Sequence, residues 1–166
     1  DGVISGVNVN MGGRNIDAMI INHVEELFNL RIGMLTAERI KTQIASLIDG
    51  DITRTVVNGR DLSSGKPRSV SISAQDVRMP VQAFFDKIFE IAGMVMAKLP
   101  AEVSAEIRRS GVYFAGGTSR LAGLDSYFRD TMAIKANVFE DPEMVNAIGG
   151  GIVAGNEKLL KKIKID

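Results

Sequence analysis

Cysteine is absent from the 166 residues, so the chain forms neither disulfides nor thiolate metal sites, and its chemistry fits a reducing cytosol. An excess of one charge is lacking too. The 20 basic and 20 acidic residues cancel, where a surface dedicated to nucleic acid would show a basic surplus. No apolar run approaches the roughly 20 residues that a membrane span requires. Ile91 to Ala97 is only seven, so direct membrane insertion is not expected. There is no internal repeat, no low-complexity segment and no charged-then-apolar targeting segment. The first residue is Asp1 rather than methionine, so the chain is expected to be processed or excised from something longer. What is present, 45% hydrophobic and 24% charged, suits one soluble domain of ordinary size.

Val3, Val7 and Val9 alternate with smaller or polar residues, predicting a strand from Val3 to Val9 that Met11-Gly12-Gly13 breaks. Ile16, Ile20, Val24 and Leu27 recur at three and four, predicting an amphipathic helix from about Asn15 to Phe28. His23, the one histidine, falls in that stripe and reads as a core or boundary residue rather than a catalytic one. A second helix is expected to take Thr36 as N-cap, to hold Glu38 in its first turn, and to end at Gly50. Its buried side would be Ile40, Ile44, Leu47 and Ile48. Thr53 to Val57 and Arg68 to Ile72 predict a hairpin with a long polar loop, Asn58 to Pro67.

Ser73-Ala74-Gln75-Asp76 has the pattern of a capping box and opens the longest helix, which Pro100 closes. Its apolar spacing would also suit a coiled-coil seam, but one of under three heptads that contains Pro80, so a core-packing helix is expected. Val112 to Ala115 and Ile134 to Val138 read as strands, with a helix from Ala122 to Met132 between them. Asp141-Pro142 marks the start of a closing helix that runs towards Lys162, with Lys158, Lys161 and Lys162 at its solvated end. The order gives an α/β domain with a small insertion.

Three constellations could carry chemistry. Val112 to Ala115 feeds Gly116-Gly117, where a missing Cβ lets another group approach the backbone. Thr118 and Ser119 then offer hydroxyls, and Arg120 a planar guanidinium able to stack on a flat base. A tight strand-to-helix turn is the plainer reading of the same residues. In the second constellation, Glu38 and Lys41 lie about 60° apart on their helix and could reach one external object. Taken alone, these two residues read more plainly as a surface i,i+3 ion pair. The third is Gly149-Gly150-Gly151, where successive helix-interior glycines suggest a very close backbone approach or a break in the helix.

Together these stretches resemble the actin/Hsp70/hexokinase ATPase superfamily, and more narrowly its bacterial rod-shape-determining (MreB) branch. Gly12-Gly13 followed by Asp17, then Glu38-Arg39-Ile40-Lys41, then Gly116-Gly117-Thr118-Ser119-Arg120 occur in the superfamily's order. Asn58 to Pro67, reading NGRDLSSGKP, followed by Val70-Ser71-Ile72-Ser73, is similar to the bacterial-actin hairpin and is the most specific part. Glu140-Asp141-Pro142 also matches that branch. The resemblance covers essentially the whole chain.

It implies the second lobe of an actin-like, ribonuclease H-like ATPase fold. Residues 1–28 and 73–166 would be the central subdomain and 29–72 a small α+β insertion. Glu38 and Lys41 would flank the adenosine of ATP, and Gly116 and Gly117 would lie against its base or α-phosphate side. Thr118 and Arg120 would complete that set, with Arg120 placed as in the Hsp70 branch. The resemblance also implies self-association into filaments, a cytoplasmic location with membrane association of the whole protein, and ATP carried with magnesium. The family's two phosphate-binding hairpins are not found in this sequence. Most phosphate and metal contacts would therefore come from the first lobe, so no catalytic or metal-ligating residue is expected here, and the chain alone is expected not to hydrolyse ATP. The corresponding lobe of an Hsp70-like chaperone, or an interaction module of the same fold that uses no nucleotide, are the competing readings.

Overall fold

The computed structural model describes residues 3–163, and the side chains of 162 and 163 lie outside that description. The expected role of the Lys162 side chain and the outermost ends of the expected central subdomain therefore fall outside the described residues.

Helix α1 (Gly13–Phe28) buries Ile16, Ile20 and Val24 at the expected spacing. The Gly12 N–H donates to Asn15 Oδ1 at 2.8 Å, and the Asn15 N–H donates back to the Gly12 carbonyl at 2.9 Å, satisfying the first turn. Asn29, left-handed at φ 51°, ends the helix. Leu27 is exposed; Phe28, four residues after Val24, packs against the core in its place. His23 is half-buried, at the boundary where the sequence put it. The strand expected over Val3 to Val9 is not formed. A strand needs a neighbour to take up its N–H and C=O groups, and among the described residues no strand pairs with this stretch.

Strand β1 (Leu30–Arg31), β2 (Arg54–Asp61) and β3 (Pro67–Ser73) form an antiparallel sheet in that order. Both hairpin strands run further than expected, to the pair Arg60↔Pro67, so the turn is residues 62–66 rather than 58–67. Two contacts explain the extension. Leu30 and Arg31 pair with Asp61 and Arg60, which holds the end of β2 straight. Asp61 Oδ1 then accepts from the Ser63 and Ser64 N–H groups at 3.1 and 2.8 Å and closes the turn. Val57 and Ile72 face the core.

Helix α2 (Met34–Ile44) starts two residues before the expected cap: Gly33, not Thr36, is its N-cap, and the Thr36 and Ala37 N–H groups both donate to the Gly33 carbonyl. Glu38 consequently sits beyond the first turn. Ala37, Ile40 and Ile44 are buried. The helix stops at Ile44 rather than Gly50 because the next residues are drawn elsewhere. Ala45 is extended, Ser46 bridges in parallel to Ala122, and the Leu47 N–H donates to the Ala122 carbonyl at 2.8 Å.

Helix α3 (Ala74–Met96) has the predicted reciprocal cap, with the Ser73 N–H donating to Asp76 Oδ2 at 2.8 Å and the Asp76 N–H donating to Ser73 Oγ at 3.3 Å. Val77, Val81, Phe84, Phe85 and Phe89 are buried inside this chain's own core, the use expected of a core-packing helix. Pro100 does not close α3; it caps α4 (Ala101–Ser110), a short helix with no fully buried residue, of which Ile107 packs against the core.

Strand β4 (Val112–Phe114) and β5 (Ala136–Val138) pair in parallel, joined through α5 (Leu124–Met132). Phe128 on α5 meets Phe114 and Phe89 edge-on, at ring-centre distances of 5.0 and 4.9 Å. After Asp141-Pro142 the chain makes a turn, and α6 (Val145–Ala154) begins only at Val145. Helix α7 (Glu157–Ile163) follows a break at Gly155-Asn156, so the closing helix is two helices. Gly149, Gly150 and Gly151 lie inside α6 without breaking it, and a Cβ at any of them would meet nothing within 4 Å.

The apolar residues of 29–72 join those of α1, α3 and α5 in one continuous core. The architecture is mixed α/β, as the element order predicts. Among the described residues no helix is long and apolar enough to cross a membrane.

Candidate functional site

The Ser46–Ala122 bridge sets the end of α2 beside the chain that follows β4. Between the two lies a cleft of about 610 Å³. One face of α2 supplies Glu38, Lys41, Thr42 and Gln43; the opposite wall is Gly117, Thr118, Arg120, Leu121 and Ala122, with Glu143 at the rim. Five of the six residues singled out from sequence therefore line one cleft. Gly116 stands behind it rather than in its wall.

Lys41 does not project beside Glu38. Its Nζ lies 2.8 Å from Asp17 Oδ1 and donates to the Gly13 carbonyl at 3.1 Å. The expected i,i+3 ion pair between Glu38 and Lys41 is not among the ion pairs of the described residues. Thr118 Oγ1 and Lys41 Nζ both crowd the position that a Gly13 Cβ would occupy, at 3.4 and 3.1 Å. The Gly12-Gly13 start of α1 is thereby bonded to Lys41 on one wall of the cleft and lies beside Thr118 on the other.

Gly116 adopts φ +89°, a conformation that L side chains rarely take. Its N–H donates to the Pro142 carbonyl at 2.7 Å, and its own carbonyl accepts from the Ser119 N–H at 3.0 Å and hydroxyl at 2.7 Å. The glycine pair thus does make a tight turn, and Gly117 to Arg120 continue it as one 3-10 turn whose outer side forms the cleft wall. The Arg120 guanidinium is held at its edge by Glu143, Nε to Oε1 at 2.9 Å and Nη2 to Oε2 at 3.4 Å, with Asp141 Oδ1 at 3.5 Å.

The sequence reading missed Thr42, Gln43 and Glu143. Thr42 stands four residues after Glu38, so helical periodicity alone would have found it. Its hydroxyl donates to the Glu38 carbonyl at 2.9 Å. Glu143 carries no such signal, because it reaches the cleft only when the Asp141–Met144 turn folds back onto Gly116. His23 does not line the cleft.

The lining suits a flat ring bearing a hydroxylated substituent. Glu38 is a carboxylate acceptor and Thr42 and Gln43 offer a hydroxyl and an amide, while the space beside the Gly117 backbone is taken up by the Glu143 side chain. A metal ion is a different matter: among the described residues no group of three or more His, Cys, Asp or Glu could hold one.

The sequence pattern of the MreB/Mbl protein family matches residues 1–162. Cell shape-determining protein Mbl of Bacillus subtilis (strain 168) is 30% identical over 164 residues, covering 98% of this chain and 49% of that protein. Cell shape-determining protein MreB of Escherichia coli (strain K12) is 33% identical over 152 residues, covering 91% and 44%. The chain spans about half the length of the curated relatives it matches. Among solved structures, MreB5 of Spiroplasma citri bound to AMPPNP superposes with a TM-score of 0.85 at 28% identity, over 93% of this chain and 46% of that one. A MamK double helical filament gives 0.78 at 21% identity, over 90% and 46%, which speaks for the fold alone. The fold is the actin-like one that the hairpin motif implied, and the chain belongs to the MreB/Mbl family.

Proposed function

We propose that the cleft is the adenosine half of an ATP site in an actin-like, filament-forming protein of cell-shape control, this chain being its second lobe. In this reading residues 29–72 form the small insertion subdomain and the remainder the central one. The protein is cytoplasmic and self-associating, and a first lobe supplies the phosphate and magnesium contacts. The observation that carries the proposal is the convergence of the Glu38 face of α2 and the Gly117–Arg120 turn on one cleft. The family supports it, as does the solution of MreB5 of Spiroplasma citri in complex with AMPPNP and with ADP. Glu38 accepts from ribose hydroxyls, and Arg120 flanks the ring. Lys41 acts from behind, by fixing α2 against α1.

With few phosphate contacts, affinity for ATP is expected near millimolar, about −4 kcal/mol, and hydrolysis by the chain alone is not expected, for want of groups that hold the β- and γ-phosphates. Amide spectra recorded during titration with ATP and GTP test the reading. Shifts centred on Glu38, Thr42 and Gly117 and larger for ATP support it. Equal responses to the two nucleotides, or shifts remote from the cleft, overturn it.

A further inference from the structure

Both cations that line the cleft are already engaged by carboxylates. Lys41 is held by Asp17 at 2.8 Å, and Arg120 by Glu143 at 2.9 Å with Asp141 at 3.5 Å. Glu38 has no ion-pair partner among the described residues. Lys41 and Arg120 balance Glu38 and Glu143 in the lining itself; Asp17 and Asp141, paired with the two cations from outside it, bring the set to two cations against four carboxylates. A triphosphate, with its own dense negative charge, meets repulsion here; a base and ribose, which are neutral, do not.

Resting on the nucleotide reading above, we infer that Glu143 is a specificity-determining residue: by neutralising Arg120 it makes this half-site select the neutral nucleoside end of the ligand and turn phosphate away. Its placement is built rather than incidental. The Glu143 side chain packs over Gly117, its Cγ 3.4 Å from where a Gly117 Cβ would stand. The Gly116 N–H to Pro142 carbonyl bond anchors the turn that carries it. The forked contact uses the Nε and Nη2 edge of the guanidinium rather than a flat face, and half of the side chain is exposed, so Arg120 can stack on a ring without offering its charge to phosphate. The nucleotide is thereby oriented, base inward on this lobe and phosphates outward.

The test compares adenosine with ATP, in metal-free buffer at low and at physiological salt, on the natural chain and on Glu143→Gln. Adenosine should bind the natural chain at least as tightly as ATP at low salt. Added salt should strengthen ATP binding and leave adenosine binding unchanged, since only the charged ligand is repelled and screened. Glu143→Gln keeps the side chain's shape and frees Arg120. It should tighten ATP binding about two- to fivefold, the range of an exposed ion pair, and change adenosine binding less. Asp141→Asn should act in the same direction more weakly, and carries the test if Glu143→Gln does not fold. ATP binding the natural chain more tightly than adenosine, or a variant that shifts both ligands alike, overturns the inference while leaving the nucleotide site standing. Failure of both ligands to bind overturns the site itself.

Discussion

Lys41 on α2 and Asp17 on α1 form a nearly buried ion pair, Nζ to Oδ1 at 2.8 Å, with only 14% and 5% of the two side chains exposed. Asp17 Oδ1 accepts no well-aligned hydrogen bond among the described residues, and Lys41 is its ion-pair partner. The pair clamps the Glu38-bearing helix to the Gly12-Gly13 end of α1.

Removing one partner of such a pair leaves the other desolvated and uncompensated. Lys41→Met should destabilise the chain by about 3 kcal/mol, whereas the double change Lys41→Met with Asp17→Leu should recover most of that loss. Urea unfolding of the three variants checks this. A single-variant loss below about 0.5 kcal/mol would mean that the pair is solvated like a surface bridge.

Asp61 holds the hairpin turn. Hydrogen bonds from the Ser64 N–H and hydroxyl, with Arg68 alongside, keep its carboxyl below the usual carboxylate value. A depressed folded-state pKa means that the contribution is present above the unfolded value, near pH 4, and is lost as pH falls through the lower folded value. Amide exchange at Ser63 and Ser64 should therefore accelerate only in strong acid. In Asp61→Asn it should be fast at every pH. Acid sensitivity that persists in that variant would place the titrating group elsewhere.

Gly123 tests the seam between the cleft walls. It sits at φ +79°, and a Cβ there would fall 2.7 Å from Ile48 Cγ1 and 2.9 Å from the Ile48 nitrogen. Gly123→Ala should cost at least about 2 kcal/mol, through strained backbone and forced separation of the 46–48 and 121–123 segments. Gly149→Ala is the contrast: its Cβ meets nothing, and a helix interior favours alanine, so a gain of up to about 1 kcal/mol is expected. Thermal unfolding of both variants decides; equal effects would contradict the geometry.

Elements whose causes are local were legible from short-range signals. The Ile16/Ile20/Val24 stripe and the Ser73/Asp76 box concern neighbours within one or two helical turns, and both are present in the structure as read. The hairpin and the family likeness it carried were legible for the same reason. Elements set by distant partners were not. Leu47 and Ile48 continue an acceptable helical pattern, yet Ala122 takes their backbone and ends α2 early. Val3 to Val9 alternates as a strand should, but alternation does not supply the adjoining strand. In the cleft, residue types pointed to Glu38, Gly117 and Arg120, while the charge state of that cleft depends on Asp17 and Glu143, which lie 21 positions before Glu38 and 23 after Arg120.

The parallel pair β4–β5 has a kinetic consequence. Its ladder is only three residues long on each strand, and Tyr113 and Phe139, 62% and 38% exposed, stack on each other at 5.4 Å rather than beneath a covering layer. Parallel strands ordinarily lie between covered faces, so this ladder should open to solvent more often than the seven-pair β2–β3 ladder. The Gly117–Arg120 turn hangs directly from β4, while the opposing helix α2 is fastened to the slow core by Ala37, Ile40 and Ile44. A ligand spanning the cleft would therefore join a faster-opening part of the molecule to a slower one, and occupancy should register chiefly as lost opening events on the β4 side.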